Sequence, residues 1–411
     1  MARMHMIALC CALAILLPLV VVGSADRMEI SKKAHDLHFR SIVMDTHDDT
    51  TQLLLHPNFD LAARHDDGNI DIPRMREGGL GGIFFSIWIP GTITGPEAVK
   101  RAIDQIDAVR QQVVLHPKDL ALATTAEQVR RAHAEGKIAC LMGVEGGHMI
   151  DDDLGVLRTF GALGVRYMTL THFLNNNWAD SSTDTPAHNG LTDFGKQVVR
   201  EMNREGIMVD ISHVADKTFY DALEVSEAPL IASHSSCRAL CDAPRDMTDD
   251  MIKALAAKGG VIQINYHIGF LSQQFRDAEN ANPQIAKDID AETKKRCGGD
   301  ADEGCSIVQG EKVTREFVAA GKLPRVDWTL IIDHIDHAVK LVGADHVGLG
   351  SDFDGANMPY GMDDVTHLPQ ITDALMKKGY SDSDIQKILG GNTLRVMEAA
   401  EPTARKMGGK P

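Results

Sequence analysis

Side chains that can bind a metal or move a proton follow most of the apolar runs in this sequence. The run in SIVMDTHDDT ends in two of them, and later runs end in GVEG, TLTH, DISH, ASH and GSDF. The candidate residues are His47, Asp49, Glu145, His172, His213, His234 and Asp352. Their repeated position after apolar runs predicts that the fold brings them together.

Metal binding is the chemistry that best explains such a group. The HxD spacing puts His47 and Asp49 on one face of a strand, because side chains alternate along it. Burying this many polar groups without partners is costly. Imidazole and carboxylate without thiolate suit zinc, and also manganese or iron. One tetrahedral zinc needs fewer ligands than His47, Asp49, Glu145, His213 and His234 supply, whereas two metals sharing Glu145 would use all five.

The sequence pattern around these residues predicts alternating strands and helices, which must position their side chains. The predicted strands are 41–47, 81–89, 138–146, 165–172, 207–213, 229–234, 260–267 and 346–353. They are nearly continuous apolar runs, as expected for strands buried on both faces. Amphipathic helical patterns separate them, for example at 96–115, 191–205, 249–258 and 329–342. This order predicts a (β/α)8 TIM-like barrel, whose C-terminal strand ends meet at one mouth.

A doubly wound open sheet is the alternative fold, but no GxGxxG follows the first predicted strand. We expect a single metal-binding barrel domain over 26–411. A polar segment at about 271–326 interrupts the alternation of strands and helices after the seventh predicted strand. We interpret it as an insertion or lid. Residues 365–400 are expected to form closing helices.

Residues 1–25 read as a signal peptide, with an early Arg, the apolar run IALCCALAILLPLVVVG and small residues after it. The predicted location is therefore periplasmic or secreted, after cleavage. An uncleaved N-terminal membrane anchor is the alternative.

Charge and cysteine content narrow the functional classes. The 411-residue chain has a formal net charge of −16, which disfavours a nucleic-acid partner. No CxxC pair is present, so a thiolate zinc site is not supported. Cys297 and Cys305 flank GGDADEG, and in an exported protein we expect them to form a disulfide. His334 and His337 lie in a helical pattern and are expected on a solvated face.

The segments DTHDD, VEGGHMIDDDLGVLRTFGALGVRYMTLTH, NNNWADS, VDISHV, SHSSCRAL and VGLGSDFDG resemble the membrane (renal-type) dipeptidases of the amidohydrolase superfamily. The similarity extends over about residues 35 to 400. It implies a (β/α)8 barrel with two zinc ions at the C-terminal strand ends. The implied reaction is hydrolysis of dipeptides, including those with a C-terminal D-residue, by a hydroxide that bridges the metals.

The resemblance also implies individual roles. His47 and Asp49 match the ligands of one zinc, and His213 and His234 match those of the other. Glu145 matches the bridging carboxylate. The remaining matches are His172 for polarising the scissile carbonyl, Asp352 for proton transfer and Arg245 for binding the substrate carboxylate.

Other functions stay open at this point. One alternative is another amidohydrolase that acts on N-acyl amino acids, lactones or β-lactams. A second is an exported metal-binding protein without catalytic activity. The expected partners are small dipeptides, with no nucleic acid and no stable membrane partner after signal cleavage. A homodimer is left open.

Overall fold

The computed structural model describes residues 29–299 and 303–409. The predicted signal peptide at 1–25 lies outside them. Within the described ranges, no helix has the length and apolar character required to span a membrane.

Nine parallel strands form the sheet, and eight of them make a barrel in the order β1-β2-β4-β5-β6-β7-β8-β9. The strands are β1 Val43–Asp48, β2 Leu80–Trp88, β3 Leu120–Leu122, β4 Ile138–Glu145, β5 Val165–Thr169, β6 Met208–Asp210, β7 Ile231–Ser235, β8 Val261–Ile264 and β9 Val347–Leu349. The ends of β1 and β9 join through a hydrogen bond from the Asp352 N–H to the His47 carbonyl (3.1 Å) and another from the Asp49 N–H to the Phe353 carbonyl (2.8 Å). The predicted (β/α)8 fold is therefore confirmed.

Strand β3 is absent from the prediction because it is only three residues long. It pairs with residues 138–140 of β4, while β5 pairs with residues 142–145 of the same strand. The short strand thus covers the part of β4 that β5 does not reach.

Helices surround the barrel and follow most of its strands. They are α1 Lys32–Arg40, α2 Thr51–Leu54, α3 Ile72–Glu77, α4 Gly95–Leu115, α5 Ala126–Ala134, α6 Leu154–Leu163, α7 Asp193–Glu205, α8 Asp216–Val225, α9 Asp249–Ala257, α10 Ile268–Leu271, α11 Gln273–Ala281, α12 Gln284–Cys297, α13 Glu303–Ala319, α14 Thr329–Val342, α15 Pro369–Lys377, α16 Asp382–Gln386 and α17 Asn392–Lys406. Side chains that cap the N-termini of these helices include Thr192 before α7 and Thr248 before α9.

The barrel interior holds its own apolar layer. Met44, Phe84, Leu141, Tyr167, Met208, Ile231 and Val261 come from seven different strands and belong to one buried cluster. This packing closes the barrel below the mouth, so that polar side chains at the strand ends stand on an apolar floor.

The segment 271–326 is largely helical and lies between β8 and β9 in the chain. Helix α13 contacts loops at the carboxyl ends of strands, because Lys312 pairs with Asp67 at 2.5 Å and Arg315 pairs with Asp363 at 2.8 Å. A small separate core that includes Phe275, Ile285 and Leu323 holds these helices together.

A disulfide joins Cys297 at the end of α12 to Cys305 in α13, as the sequence predicted. Cys140, Cys237 and Cys241 are buried thiols.

Peptide mapping of the oxidised protein under non-reducing conditions is expected to show the Cys297–Cys305 linkage. Replacing both bonded cysteines with Ser should lower the free energy of unfolding of these helices by about 2.5 kcal/mol, through the lost loop constraint. Mapping that finds both residues as thiols would contradict the assignment.

Candidate metal centre

Three of the predicted ligands are strand residues at the mouth of the barrel. His47 belongs to β1, Glu145 is the last residue of β4, and His234 belongs to β7. Asp49 follows β1 directly. All four are buried, which shows that the barrel has enclosed them rather than left them in solvent.

The other three strand-end candidates lie in loops, each three residues beyond its strand. His172 follows β5, His213 follows β6 and Asp352 follows β9. The predicted strands 165–172, 207–213 and 346–353 therefore extend too far. His213 and Asp352 both have φ of 66°, in the left-handed region that few non-glycine residues occupy. At both positions the backbone takes this left-handed conformation three residues past the end of the strand.

Glu145 is the point on which the imidazoles converge. Its Oε1 lies 2.9 Å from Nε2 of His213, 3.1 Å from Nε2 of His234 and 3.7 Å from Nε2 of His172. Its Oε2 lies 3.4 Å from Nε2 of His47, which is itself 3.6 Å from Oδ1 of Asp49. The two oxygens of one carboxylate thus face two different groups of ligand atoms.

The electrostatics of this cluster follow from burial and mutual charge. Burial alone would raise the pKa of Glu145, but the surrounding histidines hold it well below its usual range. Burial lowers the pKa of His213 and of His234, which favours neutral imidazole, the form that binds metals. Burial opposes the protonation of His47, yet Glu145 and Asp49 raise its pKa to about 10.

The donor atoms fit divalent metal ions. Nε2 of His47 and Oδ1 of Asp49 are buried and have no hydrogen-bond partner. Unpartnered buried polar atoms are costly, and a metal would satisfy both. Three groups of donors lie within 4.8 Å of one another, namely His47–Glu145–His234, Glu145–His172–His213 and His47–Asp49–Asp352. Glu145 is shared by the first two.

Several supporting residues are absent from the sequence-based site. Tyr167 contacts Nδ1 of His47 through its hydroxyl at 2.8 Å, and Ser86 donates to Oε2 of Glu145 at 3.1 Å. Asn265 donates from Nδ2 to Oδ2 of Asp352 at 2.8 Å. These residues carry no ligand spacing of their own, so only their position in the barrel reveals them.

Arg245 lies in the loop after β7 and is 4 % exposed. One terminal nitrogen donates to Ser235 Oγ and the other to the His234 carbonyl, both at 2.9 Å. Its Nε has no hydrogen-bond partner, and among the described residues no carboxylate forms an ion pair with it.

Two histidines outside the site differ in their surroundings. His334 is buried, its Nδ1 accepts the Cys237 N–H at 3.1 Å, and its Nε2 lies 3.1 Å from the Leu271 carbonyl. The expectation of a solvated face is therefore wrong for His334, which ties α14 to the loop after β7 and to the end of α10. His337 is half-buried and pairs with Asp249 at 2.8 Å.

The chain is similar to known proteins over most of its length. Residues 31–410 match the family model "Membrane dipeptidase (Peptidase family M19)". Dipeptidase 3 of Mus musculus is 33% identical over 345 residues, which are 82% of this chain and 59% of that protein. The chain therefore spans about three fifths of the length of that relative.

Solved structures share the fold. The probable dipeptidase PvdM from Pseudomonas aeruginosa is 30% identical, with a TM-score of 0.73, covering 91% of this chain and 98% of the other. A metallo peptidase from Rhodobacter sphaeroides, liganded with a phosphinate mimic of the dipeptide L-Ala-D-Ala, is 26% identical with a TM-score of 0.71. That match covers 88% of this chain and 99% of the other.

Gly355 provides a test of the Asp49 side of the cluster. A Cβ at this position would stand 1.7 Å from Oδ2 of Asp49 and 2.9 Å from Oδ1 of Asp352. Gly355→Ala should displace the Asp49 carboxylate and leave His213 and His234 in place. Elemental analysis is expected to find about half the wild-type metal content, because one ligand position is lost.

Gly310→Ala is the matched control, because a Cβ there meets no atom nearer than 4.0 Å. It should retain the full metal content. Full metal content in Gly355→Ala as well would contradict the role given to Asp49.

Proposed function

Because the chain belongs to the membrane dipeptidase family, peptidase family M19, we propose that it is a metal-dependent dipeptidase. The metal would be zinc, with two ions per chain and Glu145 as the ligand that they share. Dipeptides with a C-terminal D-residue are included among the substrates. The L-Ala-D-Ala mimic in the Rhodobacter sphaeroides structure supports this extension.

The observation that carries the proposal is the two-sided arrangement of ligand atoms around Glu145. His47 approaches Oε2, while His213 and His234 approach Oε1. The residues that would hold the metals are His47, Asp49, Glu145, His213 and His234. When bound, the two ions would supply Lewis acidity for the peptide carbonyl and lower the pKa of water, so that hydroxide forms near neutral pH.

Asp352 moves the proton in this proposal. Asn265 holds its Oδ2, and its Oδ1 lies 4.0 Å from Nε2 of His47. The side chain is 13% exposed, so it can meet both water and substrate. Asp352 accepts a proton from the attacking water and delivers it to the leaving amine.

His172 polarises the scissile carbonyl. Its ring packs edge-on against Trp88 and against His213, which restricts its orientation. An N–H of this ring would donate to the carbonyl oxygen and stabilise negative charge that develops there during attack.

Arg245 selects for a free C-terminal carboxylate. It is a buried guanidinium close to the cluster without a carboxylate partner, so a substrate carboxylate would complete its environment. A peptide longer than two residues would put an amide where that carboxylate belongs. This explains why dipeptides are preferred.

Two properties of the whole chain belong to the same proposal. The protein is exported after removal of residues 1–25, and it acts on small peptides outside the cytoplasm.

The helices of 271–326 act as a lid. Their contacts with loops at the carboxyl ends of the strands support this role.

Metal analysis and a substrate panel test the proposal together. About two zinc ions per chain are expected, with turnover on L,L- and L,D-dipeptides. Glu145→Gln should reduce the binding of both ions, because it removes the bridge. Turnover restricted to N-acyl amino acids, lactones or β-lactams would instead identify another amidohydrolase, and metal without turnover would identify a binding protein.

Asp352→Asn separates proton transfer from metal binding. The Asn side chain can still accept the hydrogen bond from Asn265, so the fold and the zinc content should be retained. Turnover should fall by about 10²–10⁴, the usual worth of a positioned acid–base group. Asp352 also belongs to the donor group with His47 and Asp49. Loss of zinc from the variant would therefore show that Asp352 is mainly a ligand.

Arg245→Ala tests carboxylate recognition. Losing one partner of a desolvated charge pair costs about 2–5 kcal/mol. The value of kcat/KM on a free dipeptide should thus fall by roughly 30-fold to several thousand-fold. A dipeptide amide lacks the carboxylate and serves as the control, and its loss should be far smaller. Equal losses on both substrates would mean that Arg245 supports the site rather than binding substrate.

A further inference from the structure

A chain of hydrogen bonds leads from a buried carboxylate to one of the histidines that face Glu145. Asp210, the last residue of β6, is buried and is not among the candidate ligands. Its Oδ2 lies 2.6 Å from Ser233 Oγ, and the same Oγ lies 2.7 Å from Nδ1 of His234. The other nitrogen of that ring, Nε2, lies 3.1 Å from Oε1 of Glu145.

The number of available protons decides which atoms donate and which accept in this series of hydrogen bonds. An ionised carboxylate only accepts hydrogen bonds, so the single hydroxyl proton of Ser233 goes to Asp210. The Ser233 oxygen must then accept the N–H of His234 at Nδ1. The lone pair of His234 is consequently on Nε2, which faces Glu145 and the proposed metal.

We propose that Asp210 and Ser233 are positioning residues that hold His234 in the tautomer required for metal binding. This inference rests on the proposed metal centre. It adds a carboxylate–serine–histidine relay on the side of Glu145 that faces His213 and His234. Supporting groups of this kind fix both the tautomer and the ring orientation of a ligand histidine.

The carboxylate itself is held so that its two oxygens cannot exchange. Oδ1 of Asp210 accepts the backbone N–H groups of Ser212 at 3.1 Å and Ser233 at 2.8 Å. Oδ2 accepts the hydroxyls of Thr169 at 2.5 Å and Ser233 at 2.6 Å. The backbone donors cannot reverse, whereas the hydroxyls can rotate.

Asp210→Asn therefore reverses the relay without changing its shape. The amide oxygen must face the two backbone N–H groups, so the NH₂ group faces Ser233 Oγ. Ser233 would then accept from Asn and donate to Nδ1 of His234. The proton of His234 then moves to Nε2, and metal binding must first return it to Nδ1 at the cost of the hydrogen bond from Ser233.

Thr169→Val is the matched control. It removes a hydrogen bond from the same oxygen of Asp210 but leaves the Ser233–His234 contact intact. A purely structural role of Asp210 predicts damage from both variants, while the relay predicts damage from Asp210→Asn alone.

The first measurement is the tautomer of His234 in metal-free Glu145→Ala protein that carries ¹⁵N-histidine, because Oε1 of Glu145 lies 3.1 Å from Nε2 and would itself attract a proton there without a metal. Long-range ¹H–¹⁵N spectra, assigned with His234→Gln, should show the proton on Nδ1 in this background and on Nε2 when Asp210→Asn is added. A proton on Nε2 before Asp210 is changed overturns the relay. This result stands whether or not two zinc ions bind.

The second measurement is zinc affinity by competition with a chromophoric chelator. Asp210→Asn should weaken the binding of one of the two zinc ions by about 10–100-fold, the usual cost of losing such a supporting group. Thr169→Val should retain the wild-type affinity. Equal losses in the two variants, or wild-type affinity in Asp210→Asn, would overturn the proposal.

Ser233→Ala, alone and combined with Asp210→Asn, completes a double-mutant cycle. With the hydroxyl absent, Asp210→Asn should cause no further loss of zinc, because the two residues act through one path. Additive losses would overturn the relay. Fewer than two zinc ions in wild type would instead reject the proposed two-metal centre, and the tautomer would still decide the relay.

Discussion

The burial of the Glu145 carboxylate at the mouth of the barrel is the constraint on which the site depends. A lone buried charge is expensive, and histidines on four other strands or their loops come within ion-pair distance of it. Their imidazoles hold its pKa well below the usual range. On the Oε2 side, the same arrangement leaves Nε2 of His47 and Oδ1 of Asp49 without hydrogen-bond partners, which is an environment that cations satisfy.

The sequence predicted the eight barrel strands because each is an apolar run followed by a helical pattern. It also identified the side chains at the mouth, since strand ends of a parallel barrel meet there. It could not predict the left-handed backbone of His213 and Asp352, because neither residue type demands that conformation. It missed Asp210, Ser233 and Asn265 because ordinary polar residues have no signature apart from their three-dimensional neighbours.

The segment 271–326 shares a cavity with a residue that is connected to the candidate metal centre by hydrogen bonds. Asn265 holds Asp352 and accepts the His267 N–H at 2.6 Å, and Nδ1 of His267 accepts the Asn357 N–H at 3.2 Å. Asn357 also lines a cavity of about 480 Å³ with residues of α11, α12 and α13, among them Glu279 and Thr293. A short hydrogen-bonded path thus joins Asn357, in the wall of this cavity, to the Asp352 carboxylate.

Closure of the barrel between β1 and β9 has a consequence for how the protein is made. The ends of the two strands meet through backbone hydrogen bonds, and the backbones of His47, Asp49 and Asp352 themselves make these bonds. A nascent chain that has not yet released β9 from the ribosome lacks half of this junction. The cluster of side chains at the barrel mouth therefore cannot assemble fully on a partial chain. It is completed only when nearly the whole polypeptide is available to fold.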